Sequence, residues 1–305
     1  MSNDIKIGVI GGDARQSVVA DMLSSEGVES AVWGVEEGSS LCTGGSRESC
    51  PVRCVDWKDA LCGSDAVLLP LPITTDGVRL NCPELRADAS GMAEPRLTEI
   101  IDKTSTSTVI LGGKIPRSVL RYAEEHNVRM IDYYEHEDFQ IKNAVPTAEG
   151  AIAIAMDSLS ITLADSRSAV IGYGRIGRTL AHRLLALSSR TTCVARSRKD
   201  LAWAECDGCV PVRLEDYKRA PEQFDVIFNT VPHIIFDSEL LSALSPDTLF
   251  IDLASQCGGI DTAAAEAKGI RVVKALSLPG KTSPRSAGRI IFDTVREILR
   301  EEGIL

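Results

Sequence analysis

The feature that most constrains this chain is a glycine triplet in a specific setting. Ser168-Ala169-Val170-Ile171 reads as a short apolar strand. It runs directly into Gly172-Tyr173-Gly174-Arg175-Ile176-Gly177, and residues 175–187 that follow have helical character. A Gly-x-Gly-x-x-Gly pattern alone carries little weight, because glycine is common. Between a strand and a helix it has a mechanical reading. The first glycine permits the tight turn, the second lets backbone approach a pyrophosphate, and the third allows the helix to pack closely on the strand. The helix N-terminus offers unpaired N–H groups and a partial positive charge to the phosphates. The pattern therefore predicts a dinucleotide site built from Gly172, Tyr173, Gly174, Arg175, Ile176 and Gly177. The bland alternative is a tight strand-to-helix turn without a ligand.

One strand later the sequence bears on which dinucleotide. A site for NAD usually places Asp or Glu at the end of the second strand, against the ribose 2′-hydroxyl. Here Val194-Ala195 leads into Arg196-Ser197-Arg198-Lys199, with no carboxylate before Asp200. Arg196, Ser197 and Arg198 suit a 2′-phosphate, so NADP is expected in preference to NAD. A solvated basic turn is the alternative. Thr230, Val231 and Pro232 end the fourth strand of this half, and Ala254 and Ser255 the fifth. Ligands bind at such strand ends, and these five residues are expected to flank the ribose and nicotinamide. Strand termination by Pro232, and backbone bonding by Asp252, are the structural alternatives.

The 305 residues suffice for two domains. Both halves alternate apolar strands with amphipathic helices, which predicts α/β architecture with two doubly wound, Rossmann-like parallel sheets. The division expected is a substrate-side domain over 1–145 and a nucleotide domain over 146–283. A helix over 144–164, opened by Pro146 in its first turn, is expected to join them. A last helix, 284–305, carries Ile290, Ile291, Val295, Ile298 and Leu299 on one face and is expected to pack back on the first domain or on a partner. Residues 36–56, rich in Gly, Ser and Cys, show no regular pattern.

Composition excludes several roles. The formal charge is −10 and aromatics make up 5 %, which argues against nucleic acid and against a membrane surface. The sequence starts without a basic segment and apolar run of the export type, and no stretch reaches the length of a membrane span. A cytoplasmic protein is expected. Its nine cysteines then read as reduced thiols. Cys206 and Cys209 lack the second pair, or the histidines, of a zinc site, and no metal is expected.

Hydride chemistry would put a substrate opposite the nicotinamide, in a cleft between domains. Gly11-Gly12-Asp13-Ala14-Arg15-Gln16 lies where the first strand meets the first helix, an anion-binding position to which Arg15 adds a guanidinium fork. Gly112-Gly113-Lys114 ends a later strand. Leu278-Pro279-Gly280-Lys281, with Ser286 beyond it, forms a turn-rich cationic segment before the last helix. Convergent cations in an acidic chain favour a small dicarboxylate. Each has a bland reading: Asp13 as a helix cap, Arg15 as a solvated helix residue, Lys281 as a loop charge. No histidine follows His233, so the late catalytic histidine of a 2-hydroxyacid dehydrogenase is missing; His233 itself is a candidate base or a surface residue.

Together, Gly11–Gln16, Pro146-Thr147-Ala148-Glu149-Gly150, Val170–Gly177 and Ala275–Lys281 resemble the A subunit of the bacterial dipicolinate synthases, and the resemblance spans essentially the whole chain. It implies an oxidoreductase subunit that, with a smaller flavoprotein-like B subunit, oxidises dihydrodipicolinate to pyridine-2,6-dicarboxylate in the cytoplasm of a sporulating mother cell. A homo-oligomer is also expected. Under this resemblance Arg15 and Lys281 are expected on the carboxylates, with Gln16, Lys114, Thr147 and Ser286 as further substrate contacts. Asp13, Glu149 and His233 are the proton-transfer candidates. The alternatives are an NADP-dependent dehydrogenase of another small cyclic acid, and a non-catalytic NADPH-binding protein.

Overall fold

Strands β1 (Lys6–Ile10), β2 (Glu29–Trp33), β3 (Val52–Arg53), β4 (Ala66–Leu68), β5 (Val109–Gly112) and β6 (Met130–Asp132) form one parallel sheet in the computed structural model. Strands β7 (Arg167–Ile171), β8 (Arg190–Ala195), β9 (Val210–Arg213), β10 (Val226–Asn229), β11 (Leu249–Asp252) and β12 (Arg271–Lys274) form a second. The structure describes residues 5–36, 50–87, 93–254 and 258–305. The chain divides into two units, Met1–Lys142 with Ser283–Leu305, and Asn143–Thr282.

Both sheets have the doubly wound order. The first runs β3-β2-β1-β4-β5-β6 and the second β12-β11-β10-β7-β8-β9, the same order counted from the other edge. In each, the connection reverses direction beside the first strand, between β1 and β4 and between β7 and β10. That reversal opens a crevice beyond the strand C-terminal ends, where ligands of such sheets bind.

Parallel strands covered on both faces read as apolar runs, because successive side chains enter different cores. In the first unit Ile7, Val9, Leu68 and Leu111 enter one core. Ile10, Val67, Leu69 and Ile110 enter the other. The edge strands β3 and β9 lack this signature. They are largely exposed, and β9 carries Pro211, which an edge tolerates.

The helix Pro284–Glu301 returns to the first unit, burying Ile291, Phe292, Val295, Ile298 and Leu299 in its core. It lies against the helix Ala14–Ser25, with Gly288 at the closest approach: a Cβ there would stand 2.7 Å from Val18 Cβ and 2.8 Å from the Arg15 carbonyl oxygen. Arg296 and Glu26 close the same pair with an ion pair of 2.7 Å.

Two expectations are corrected. The helix thought to begin near Pro146 runs Glu137–Ser158, with Pro146 inside it. Glu137 and Asp138 in the first turn favour an earlier start through the helix dipole, and Phe139 buries completely. Thr147, next to the proline, returns its hydroxyl to the Asn143 carbonyl at 2.8 Å. The Leu-Pro-Gly-Lys segment is also helical, over Leu278–Thr282. Leu278 and Pro279 are buried, and that burial makes a helix of a segment rich in turn formers.

Gly288→Ala tests the helix pair. Alanine gains about 1 kcal/mol over glycine in an open helix, but forced overpacking costs about 1–3 kcal/mol. With three atoms inside 3 Å, the clash decides the sign, and chemical denaturation is expected to show net destabilisation.

Candidate functional site

The three glycines of the second unit perform three separate tasks. Gly172 turns the chain at φ +89°, and its N–H donates to the Val194 carbonyl at 2.9 Å. A Cβ at Gly177 would stand 2.1 Å from the Gly172 carbonyl oxygen, so the helix packs on the strand only through glycine. A Cβ at Gly174 would meet nothing within 4 Å. The space above Gly174 is therefore open for a ligand's approach. Gly174 is also the N-cap of the helix Arg175–Ala186, with no side-chain cap and no acidic residue in the first turn. The helix N-terminus is left to an outside anion.

Tyr173 is corrected in one respect: its side chain does not face this opening. It is buried, and its hydroxyl donates to Asp207 Oδ2 at 2.9 Å. Asp207 Oδ2 also accepts from Arg178 Nε at 2.9 Å and lies 3.0 Å from His182 Nε2. Arg178 stacks its guanidinium over Trp203 at 4.3 Å. Burial opposes ionisation of Asp207, but the hydrogen bonds from His182, Arg178 and Tyr173 outweigh it and hold the carboxyl at about 2. This brace ties the glycine loop and its helix to the turn after Cys206. No spacing rule announces it, since Asp207 stands 34 residues from Tyr173.

A cavity of about 290 Å³ lies beside the loop. Ile171, Gly172, Val194, Val231, Leu214 and Ile235 give it apolar walls, while Arg196, Ser197, Asp200 and His233 supply its polar groups. The structure thus joins Gly172, Arg196, Ser197, Val231 and His233 in one pocket. Arg198 and Pro232 are exposed and are not among its lining. Ser197 caps the next helix, accepting from Asp200 N–H at 3.4 Å. That cap curls the chain so that Asp200 joins the pocket wall. Thr230 lies under the loop, its hydroxyl donating to the Ile171 carbonyl at 2.8 Å.

The strand ends β10 and β11 are locked together. Asn229 Nδ2 donates to Asp252 Oδ1 at 2.8 Å and to the Val231 carbonyl at 3.0 Å. Asp252 also accepts from Ala254 N–H at 3.2 Å and Gly259 N–H at 3.0 Å. Ala254 is buried, and Ser255 lies outside the described residues.

At the corresponding crevice of the first unit the geometry differs. Gly11 and Gly12 turn at φ +74° and +105°, and the segment 80–82 sits on them: Gly12 N–H donates to the Asn81 carbonyl at 2.9 Å. Asp13 caps the helix Ala14–Ser25, and Glu36 Oε2 accepts from Ala14 N–H at 3.3 Å. Two carboxylates therefore occupy the helix N-terminus expected to take an anion. Two nitrogens of the Arg15 guanidinium are engaged. Its Nε and Nη2 donate to the two oxygens of Asp13, each at 2.8 Å, and Nη2 donates to the Leu71 carbonyl. Arg15 is 4 % exposed and Gln16 0 %. Arg15 and Gln16, expected to receive a substrate, both lie inside the unit, where Arg15 neutralises Asp13.

Lys114, just beyond β5, is exposed. Its backbone adopts φ +55°, with Lys114 N–H donating to Asp132 Oδ1 at 3.0 Å and Ile115 N–H to Oδ2 at 2.7 Å. Burial lowers the pKa of Lys114; Arg15 lowers it further, and Asp132 opposes both. Of the other expected residues, Glu149 pairs with Arg183 at 3.3 Å, and Thr147 is buried on its own helix. Lys281 is exposed in its short helix and Ser286 in the first turn of the last helix. Among the described residues no cluster of His, Cys, Asp or Glu is placed to hold a metal, and no helix is long and apolar enough to cross a membrane.

A doubly wound unit with an open, uncapped glycine loop at its reversal point defines a dinucleotide-binding domain. Residues 147–264 match the model of the D-isomer specific 2-hydroxyacid dehydrogenase NAD binding domain. Residues 6–134 match that of the N-terminal domain of the dipicolinate synthase A subunit. The chain is 30% identical over 302 residues to the A subunit of dipicolinate synthase from Bacillus subtilis (strain 168), covering 99% of this chain and 98% of that protein. The crystal structure of that protein superposes with TM-score 0.82 over 99% of this chain and 97% of the other. The A subunit structure from Bacillus halodurans gives 0.82 at 28% identity, over 98% and 99%. A transhydrogenase from Sinorhizobium meliloti, at 14% identity and TM-score 0.66 over 96% and 92%, shares the fold alone. The chain belongs to the family of dipicolinate synthase A subunits and is an NAD(P)-dependent oxidoreductase.

Two substitutions separate binding from folding. Gly174→Ala places its methyl in open space, so stability is expected to change by less than about 0.5 kcal/mol, while dinucleotide affinity falls at least tenfold by calorimetry. Gly177→Ala drives a methyl into backbone and is expected to lower both.

Asp207 makes the stability pH-dependent. Its carboxyl is depressed from 3.8 to about 2 on folding, so its contribution is complete above 3.8 and fades as pH falls towards about 2. Asp207→Asn is expected to be less stable than wild type at neutral pH, with the difference closing across that window in denaturation curves.

Proposed function

We propose that this chain is the nicotinamide-dependent component of a dipicolinate synthase, oxidising dihydrodipicolinate to pyridine-2,6-dicarboxylate with NADP as acceptor. The observation that carries the reading is the end-to-end match to the A subunit of the Bacillus subtilis synthase, joined to a glycine loop whose open side is its central glycine. The helix N-terminus at Arg175 would hold the pyrophosphate. Arg196 and Ser197, with Arg198 beside them, would hold the 2′-phosphate, since a doubly charged group is best met by planar cationic donors. Asp200 on the same wall is the group that would favour a 2′-hydroxyl instead. Val231 and the Thr230 turn would lie against the cofactor.

A bound oxidised nicotinamide supplies a hydride acceptor; the chain's residues must supply position, dryness and a place for a proton. Aromatisation of the ring drives the oxidation, so a strong acid–base relay of the alcohol-dehydrogenase kind is not required. His233 shares a pocket with Arg196 and Ser197, at the adenosine end of a dinucleotide so held, and we assign it no part in proton transfer. Lys281 and Ser286, both exposed, are the groups we assign to a substrate carboxylate. A flavoprotein-like second subunit is the partner proposed from the family.

The test is absorbance at the reduced-nicotinamide band with this chain, NADP and freshly generated dihydrodipicolinate, with and without the second subunit. NADP reduction together with formation of the pyridine dicarboxylate is expected. NADP binding without turnover in either mixture would overturn the reaction. Arg196→Asp is expected to weaken NADP binding by about 10- to 100-fold, the range of one lost charge-assisted contact, while NAD binding holds or improves. Equal NADP affinity in the variant would overturn the cofactor choice.

A further inference from the structure

The cavity beside the glycine loop is lined by three charged or titratable side chains that the fold leaves uncommitted: Arg196, Asp200 and His233. Among the described residues, none of the three side chains makes a hydrogen bond or an ion pair. Other basic side chains of this unit are paired: Arg178 with Asp207, Arg183 with Glu149 and Arg213 with Glu215. Uncommitted groups that line one cavity are available to a ligand.

Their charges decide which ligand. The turn after β8 contributes one cation, Arg196, and one anion, Asp200. The β7 side contributes Ile171 and Gly172, and the far wall Leu214, none of them charged. Behind Leu214, the Glu215 carboxyl is lowered by its own backbone N–H and by Arg213, with Arg196 a further contributor. Arg196 therefore faces a second carboxylate besides Asp200, and Arg213 offsets that second one. With His233 neutral, the lining carries no net charge. A 2′-phosphate brings a charge of about −1.5 to −2 at neutral pH. It needs one more cation than the neutral lining provides. Imidazole is the side chain whose ordinary charge change falls between pH 5 and 8.

We propose that His233 takes up a proton when the 2′-phosphate of NADP enters this cavity, so that the preference for NADP over NAD rises as pH falls. The inference rests on the cofactor choice proposed above and deepens it. The proton comes from solvent and joins the free lone pair of the imidazole; no bond of the dinucleotide forms or breaks. The imidazolium donates an N–H to a phosphate oxygen, a charge-assisted hydrogen bond. NAD offers a neutral hydroxyl in the same place. Asp200 accepts from that hydroxyl, and no further cation is needed. Arg196 and Asp200 thus form a fixed, nearly balanced background, and the protonation of His233 selects between the two dinucleotides.

The sign follows from linkage. A phosphate dianion favours the charged imidazole, so His233 binds its proton more tightly in the NADP complex than in the free chain. By reciprocity, protonation strengthens NADP binding. The gain is full at low pH and is lost as the imidazole of the complex deprotonates. The 2′-phosphate titrates at about pH 6, and neighbouring cations push its own proton off. It therefore contributes proton release, the opposite sign.

The test is titration calorimetry of the full chain with NADP and with NAD, in two buffers of different ionisation enthalpy at pH 7.5. Net proton uptake is expected with NADP and about none with NAD. His233 is exposed, so His233→Gln is expected to fold normally and to abolish the uptake. It is also expected to weaken NADP binding about tenfold at pH 6.5 and by less than about twofold at pH 8.5, with NAD unaffected. His233→Lys keeps a cation throughout that range and is expected to bind NADP without the loss at pH 8.5. Uptake that survives in His233→Gln, or that disappears in Asp200→Asn but not in His233→Gln, would overturn the proposal. So would an NADP affinity of His233→Gln that parallels wild type at every pH. In each of these cases a loss of NADP affinity in Arg196→Asp would leave the cofactor choice standing. NADP bound no more tightly than NAD at any pH, and unchanged in Arg196→Asp, would sink the cofactor choice and this inference together.

Discussion

The nucleotide site depends on one backbone contact. The carbonyl oxygen of Gly172 lies where a side chain at position 177 would have to begin. Only because both positions are glycine does the helix Arg175–Ala186 start directly above β7 with its N–H groups directed into the crevice. Every other element of the site is arranged around that approach. Thr230 fills the space beneath the loop with a hydroxyl bonded to the Ile171 carbonyl, and Asp207 holds the loop's tyrosine and the helix's Arg178 from behind. The affinity for an anion is thus a backbone property, protected by side chains that never touch the ligand. This is how a chain of charge −10 can take a phosphate-rich cofactor: the attraction is local and fixed, and the global repulsion is screened beyond about 10 Å.

The first sheet shows what happens when the same topology is given different residues. Its order is identical, and its first strand also ends in two glycines. There, however, the helix N-terminus is filled by the carboxylates of Asp13 and Glu36, and the one guanidinium nearby is bonded to Asp13 and to the Leu71 carbonyl. An outside anion would have to displace two carboxylates. Fold therefore assigns both crevices as sites, while side-chain chemistry closes one helix terminus. The function of each unit is decided at this level and not at the level of topology.

This contrast also explains which parts of the site are legible in the sequence. The glycine loop, the basic turn after β8 and the doubly wound class are encoded by residues adjacent in the chain, so a local pattern reveals them. The central strands are equally legible, since burial on both faces forces apolar runs; the exposed edges β3 and β9 have no such constraint. Arg15 looks like a free fork in the sequence because its partners are an Asp two residues away and a carbonyl 56 residues away, and local spacing cannot tell a neutralised guanidinium from an available one. Pro146 looks like a helix start because a proline at a first turn is the commoner arrangement; the helix instead begins earlier, where Phe139 finds a core. Asp207 and the Asn229–Asp252 pair are legible only once strands far apart in sequence are side by side.

The same reasoning accounts for two of the segments that carry the family resemblance. Pro-Thr-Ala-Glu-Gly and Leu-Pro-Gly-Lys stand more than a hundred residues apart, yet they meet. A Cβ at Gly150 would lie 3.0 Å from Thr282 Oγ1 and 3.1 Å from Leu278 Cβ, so the helix Glu137–Ser158 and the short helix Leu278–Thr282 approach at a glycine. Ala148, Ala151 and Ala155 on one side and Leu278 on the other are buried in the same core. The small residues of the first segment thus exist to admit the second, and the pair forms one structural device within the second unit. Their co-occurrence in a sequence is informative for that reason: each segment is intelligible only as the packing partner of the other, whereas the glycine loop between them is a solution that many unrelated reactions share.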